Sequence, residues 1–414
     1  MISAIFLLSS NAVLAQKSDK SVLRVDFYRF GNFNTDSIKI KEMFLQKNNS
    51  IGPNQMVDNI NYGEYRIEVF SDAGTCLFRR GYSSLFNEWK TTDGAYKTTE
   101  YFQESVLIPW DKSMSKIVFS LRDSLDQWHI QAQVAIEKNV TSKFYHGKEY
   151  AVKNLKISGD PEDKLDLLFV PDGYTKKEMK LFAEDCRKAM GYIMNAKPFN
   201  EFPEDINFRA VMAPSKESGT DYPHRDILKN TVLNSSYNTF GTERYLTTLS
   251  YHAVMDVASN APADHIIILV NDADYGGGGF YNFYTLASAH NTYTPFLIQH
   301  EMGHGLTGLG DEYYTSDVAY DSFYNNKSEP WEPNLTTLVD FSSKWDSLIA
   351  DGTPVPTPET GDNCKKTGVF EGGGYSAKGI YRPACSCTMK DVRYDLYCEA
   401  CKAAVRRIVR WYGL

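Results

Sequence analysis

Residues 300–304 read His-Glu-Met-Gly-His. On a helix, His300 and His304 fall one turn apart on the same face, so their ring nitrogens can converge on a single zinc ion. Glu301 sits beside the first of them, where its carboxylate can take a proton from a water held by that metal. A catalytic zinc keeps three protein ligands and one open position. Asp311, seven residues past His304, is the candidate third ligand, because Gly305, Gly308 and Gly310 let the chain fold back toward the metal. Glu312 is its rival, since spacing does not separate adjacent loop residues, and a ligand from farther along the chain is the remaining alternative. The plainer reading is that both acids cap the turn or orient the histidines. A tyrosine, Tyr313 or Tyr314 or a later one, is a candidate donor to the developing oxyanion, although most of the 27 tyrosines must be packing residues.

Five residues of the form HExxH arise by chance, so the flanks decide the matter. Thr294-Pro295 is a good helix start, with an N-cap hydroxyl and proline at the first helical position. Phe296, Leu297, Ile298, Met302, Leu306 and Leu309 supply apolar residues for packing that helix on a core. Four consecutive glycines at 276–279 allow close backbone approach or a loose loop, and Tyr281–Ala289 is expected as an edge strand able to pair with an extended peptide. His224 and His290 read as ordinary polar residues.

Further elements follow from periodicity. From Val22 to Thr141 short alternating runs (Val22–Tyr28, Tyr65–Phe70, Ser105–Pro109, Lys116–Leu121, Ile130–Ile136) predict an accessory β-sandwich without catalytic spacing. Residues 142–159 are polar and are expected to link it to a second domain spanning 160–414. There, strands at Leu165–Val170, Ile206–Met212 and His265–Asn271 alternate with helices at Lys176–Ala196 and 241–259, which predicts an α/β domain. Residues 315–380 are expected as loops around the cleft, and Lys402–Leu414 as a closing basic helix.

A net charge of −8, with no basic cluster, argues against nucleic acid as a partner. Ile2–Leu8 is apolar and Val13-Leu14-Ala15 suits cleavage after Ala15, so residues 1–15 are expected to be a signal peptide, although no Lys or Arg precedes the apolar run. No other stretch is apolar enough to span a bilayer, and a periplasmic, cell-surface or secreted location is expected. Cys385, Cys387, Cys398 and Cys401 fall within seventeen residues. In an oxidising compartment they are expected to form two disulfides crossing from the first pair to the second, with a structural zinc site as the alternative. Cys364 is a further candidate for that group, while Cys76 and Cys186 read as isolated buried cysteines.

Taken with Tyr381-Arg-Pro-x-Cys-x-Cys-x-Met389 and Cys398-x-x-Cys401, the extended motif from His300 to Tyr313 resembles the bacterial immunoglobulin A peptidase family of zinc metallopeptidases. The resemblance runs from about Leu165 to the C-terminus. It implies a metzincin-like catalytic domain with a mixed sheet and an HExxH helix behind the β-sandwich, and it makes Met389 the methionine turn beneath the metal. Two departures stand out. The glycine and acid come one residue later than in metzincins, where Thr307 and Gly310 occupy the usual positions, and no tyrosine lies two residues past Met389. The function this implies is an exported zinc endopeptidase, with one catalytic ion, acting on protein or glycoprotein, immunoglobulin A among the candidates. A binding or adhesion protein that retains the peptidase fold, and a zinc hydrolase of another amide or ester, are the alternatives. An intact Glu301 argues against the first of these.

Overall fold

Residues 21–46, 56–137, 140–314, 324–391 and 396–413 are described by the computed structural model. The expected signal peptide at 1–15 lies outside them. Alternating apolar residues in the first third build two antiparallel sheets. Strands β1 (Val22–Asn32), β2 (Thr35–Gln46), β3 (Tyr65–Ser71) and β4 (Cys76–Tyr82) are followed by a short helix, α1 (Leu85–Trp89), and then by β5 (Glu100–Pro109), β6 (Met114–Arg122) and β7 (Trp128–Ala135). One sheet has the order β2-β1-β5 and the other β4-β3-β6-β7. They close on a shared core in which Phe27 meets Phe119 edge-on, centroids 5.1 Å apart. Strands β2 and β4 were not among the expected runs. Asp36, Lys39, Lys41 and Glu42 in β2, and Arg79 and Arg80 in β4, interrupt the apolar signal on which such a reading depends.

The second part begins with β8 (Val152–Lys156), inside the stretch expected to be linker. It continues through β9 (Leu165–Asp172), α2 (Met179–Asn195), β10 (Ile206–Val211), α3 (Tyr251–Ala258), β11 (His265–Val270), β12 (Gly277–Phe280), β13 (Tyr284–Ser288) and α4 (Thr294–Thr307). The hairpin β14 (Phe370–Gly373) and β15 (Ser376–Arg382) and the final helix α5 (Glu399–Tyr412) complete it. Helix α3 is shorter than the expected 241–259. The sheet order is β12-β13-β11-β9-β10-β8, parallel at its centre, with β8 and β12 antiparallel edges. The edge strand is therefore β12, while β13, the core of the expected edge at 281–289, lies inside the sheet.

Side-chain alternation divides this sheet between two cores. Leu165, Leu167, Phe169, Ile267 and Leu269 pack with α2, α4 and α5 on one face. Leu168, Val170, Ile266 and Ile268 pack with α3 and with the N-terminal sandwich on the other. Strand β1 is accordingly buried on both sides. Leu23, Val25 and Phe27 join the apolar core, while Arg24 pairs with Asp26 at 2.6 Å and reaches Asp256 of α3 at 2.8 Å. Among the described residues no helix is long and apolar enough to cross a membrane.

Candidate metal centre and active site

Helix α4 carries the HExxH residues, and its neighbours fix its seat. Pro295 lies in its first turn, and Gly308 ends it in the left-handed conformation at φ 66°. The Gly308 and Leu309 amides then return to the His304 and Gly303 carbonyls, as in a glycine-terminated helix. Beneath the helix, His265 bonds the Thr285 hydroxyl at 2.8 Å, and that hydroxyl donates to the Glu301 carbonyl at 3.1 Å. Burial drives His265 down to about 3, so it stays neutral in this relay. The four-glycine run takes its meaning here. A Cβ on Gly279 would overlap the Glu301 carbonyl oxygen and stand 2.9 Å from His304 Cβ, so the glycines bring edge strand β12 onto the helix.

His300 and His304 present their Nε2 atoms 3.1 Å apart. Asp311 Oδ1 is 3.2 Å from each of them. Both Nδ1 atoms face carbonyls, that of Thr388 at 2.9 Å and that of Leu309 at 2.6 Å. A carbonyl only accepts, so each Nδ1 carries a proton, and Nε2 is left as the atom each ring presents to Asp311. Asp311 Oδ1 is buried and makes no hydrogen bond. Three donors converging in this way suit one cation: a tetrahedral ion with bonds of about 2.0–2.1 Å needs its ligand atoms about 3.3 Å apart. Burial opposes the charged forms, but the Asp311 carboxylate outweighs it, raising His300 and lifting His304 to about 9. Asp311 is pulled far below the usual carboxylate range, because the two rings overcome its burial.

Glu301 is buried at the edge of the cleft, its carboxylate within 4.8 Å of both histidine nitrogens. Burial raises its pKa, against the pull of His300 and His304. The cleft has a volume of about 680 Å³. It is walled by β12, by Tyr275 and Tyr313, and by Ser84, Asn87 and Glu88 from the N-terminal part, whose sequence offers no catalytic spacing. Burial pushes Glu88 up to about 7.

The supports came less readily from sequence. The Tyr375 phenol, at the tip of the β14–β15 hairpin, donates to Asp311 Oδ2. Asn334 clamps the turn after α4, its amide bonding both the N–H and the carbonyl of Gly310 at 2.8 Å. Met389 is fully buried, and a Cβ on Gly303 would lie 2.5 Å from its sulfur. Its carbonyl accepts from the Glu312 N–H at 2.8 Å. His290 instead bonds Asp185 at 2.8 Å, away from this cluster.

Two expectations need correction. Glu312 is the neighbour of Asp311, but its carboxylate joins Cys387, Cys398 and Cys401. The expected disulfides between the pair 385/387 and the pair 398/401 do not form. Cys385 bonds Cys364, and Cys387, Cys398 and Cys401 are free. The polar 3₁₀ turn at Gly361–Lys365 brings Cys364 back to the strand end, at a Cα separation of 5.2 Å that suits a disulfide.

The family model described as IgA Peptidase M64 matches residues 153–366 and 359–409, and the one described as Peptidase M64 N-terminus matches residues 15–132. A search of curated proteins finds no match. The two family matches cover both the sheet domain with its cleft and the N-terminal sandwich, and the chain therefore belongs to the IgA peptidase M64 family, a peptidase whose substrate is protein.

Proposed function

We propose that the chain is an exported zinc endopeptidase of metzincin-like build that hydrolyses peptide bonds in proteins or glycoproteins, immunoglobulin A among the candidates. The observation that carries this reading is the convergence of His300, His304 and Asp311 within 3.1–3.2 Å of one another beside the Glu301 carboxylate. Two nitrogens and one carboxylate oxygen are the donor set of a catalytic zinc. The left-handed turn at Gly308 and the methionine packed under Gly303 favour the metzincin-like build.

Bound at these three residues, zinc would supply Lewis acidity toward the scissile carbonyl and the attacking water. Glu301 accepts the proton of that water and returns it to the leaving amine. Its raised pKa suits the exchange, because a base poised closer to neutrality both takes and gives a proton readily. Tyr375 holds Asp311 so that Oδ1 rather than Oδ2 faces the rings. Strand β12 is the unpaired edge beside the cleft, and an extended substrate backbone can add to it as a further strand. Export is supported by the leader-like residues 1–15 and by the Cys364–Cys385 disulfide.

Removing metal with a chelator is expected to abolish cleavage of an unfolded protein substrate, and added zinc to restore it. Cleavage that persists in protein shown by elemental analysis to be free of metal would refute the assignment.

A further inference from the structure

Behind the histidine cluster, three cysteine sulfurs and one carboxylate gather with no part in the proposed hydrolysis. Cys387 lies in the turn that carries Met389, Cys398 caps the N-terminus of α5, and Cys401 lies in its first turn. Glu312 reaches them from the strip that follows α4. Their ligand atoms all lie within 4.8 Å of one another. Cys387 and Cys401 sulfurs are 3.8 Å apart, and Glu312 Oε1 is 3.1 Å from Cys401 Sγ and 3.9 Å from Cys398 Sγ. Glu312, Cys387 and Cys401 are wholly buried.

We propose that Cys387, Cys398, Cys401 and Glu312 hold a second, structural zinc ion. Zinc–sulfur bonds of about 2.3 Å in a tetrahedron place sulfurs about 3.8 Å apart, whereas a disulfide brings them to about 2.05 Å. The Cys387–Cys401 separation fits the former. A disulfide between any two of these cysteines would leave the third thiol and a buried acid facing one another. That acid has an unmet need: Oε2 of Glu312 makes no hydrogen bond, although Asn334 serves Oε1 at 3.0 Å. Oε1 lies against the Cys401 and Cys398 sulfurs while Oε2 has no partner, and a cation among the sulfurs would supply the counter-charge that this buried acid lacks. Two dipoles favour negative charge at the cluster: the Cys398 N–H points at Cys387 Sγ at 3.3 Å, and the positive end of α5 lies there. Thiolate sulfur selects zinc over calcium or magnesium.

Such an ion would pin three separate segments at one point. Glu312 adjoins Asp311, and the Thr388 carbonyl between Cys387 and Met389 orients His300. The site would hold the third ligand and one histidine support in place without touching substrate.

The test separates this site from the histidine cluster. The full-length His300→Ala/His304→Ala protein, purified without chelator, is expected to retain one zinc per chain. Its cobalt-exchanged form, and that of the unaltered protein, is expected to show the near-ultraviolet absorption of cobalt–thiolate charge transfer. Adding Cys398→Ser and Cys401→Ser should remove both the ion and the band. Because the cobalt spectrum of the unaltered chain carries the same information, misfolding of a cysteine variant does not blunt the test. Absence of metal and band from the histidine variant would overturn the proposal, and so would a Cys387–Cys401 disulfide in unreduced protein. Failure of the catalytic assignment reads differently, as an unaltered protein that binds only the thiolate-held ion.

Discussion

At His304, burial by itself would keep the imidazole neutral, yet the Asp311 carboxylate lifts it to about 9 before any cation binds. Metal and proton therefore compete for the same nitrogen. The apparent zinc affinity of the histidine site is expected to rise with pH, by about tenfold per unit for each proton expelled, and to level off above about 9. Competition with a calibrated chelator across pH 6–10 would measure it, and a flat profile would contradict the pairing. The stability sign is the reverse. In chelated protein the His304–Asp311 attraction is fully present below the ordinary histidine value of about 6.5 and is lost as pH rises through about 9. Tyr375 acts through Asp311, so Tyr375→Phe is expected to weaken zinc binding about 10–100-fold while leaving the fold intact. An unchanged affinity would mean that the phenol orients nothing. These residues differ in how readable they were. His300, Glu301 and His304 announce themselves because helical spacing alone brings them together. Tyr375 and Asn334 do not, since each reaches the site through a loop whose return path depends on tertiary packing.

Helix α4 is held by small residues where larger ones would be expected of a buried helix. Gly303 admits the Met389 side chain and Gly279 admits the helix backbone. Gly303→Ala is expected to overpack that contact and lower stability by about 1–3 kcal/mol, seen as a reduced urea midpoint. An unchanged midpoint would show that Met389 is free to move aside. Gly279→Ala meets a carbonyl that has no such freedom, and the larger loss is expected there. The sequence pattern announced the central strands β9, β10 and β11, since runs such as His265–Val270 are apolar on both faces. It missed β8, whose polar face is solvated at the sheet edge, and it assigned the edge to β13 because four glycines look like a loop. Glycine was required at β12 by the proximity of α4, and proximity is what periodicity cannot express. The cysteines failed for a related reason: spacing along the chain favours near neighbours, whereas Cys385 finds Cys364, 21 residues away.

The N-terminal sandwich is more than an appended module in this architecture. It shares one continuous core with the second face of the six-stranded sheet, and it contributes Ser84, Asn87 and Glu88 to the cleft. Arg24 is buried at the junction with its charge met by Asp26 and Asp256. A chain starting at residue 146 would expose that apolar face, so it is expected to aggregate, judged by size-exclusion chromatography. A folded, monomeric fragment would contradict the shared core. The whole molecule thus presents a cleft of two origins around His300, His304 and Asp311, with Glu301 proposed as the base for peptide hydrolysis there. The most direct measurement is mass spectrometry of new termini in a mixture of diverse proteins, immunoglobulin A included, after incubation with the unaltered chain and with Glu301→Ala. New termini are expected only with the unaltered chain, with turnover by the variant lower by about 10²–10⁴-fold and zinc retained in both. Equal termini from both proteins would contradict Glu301 as the base.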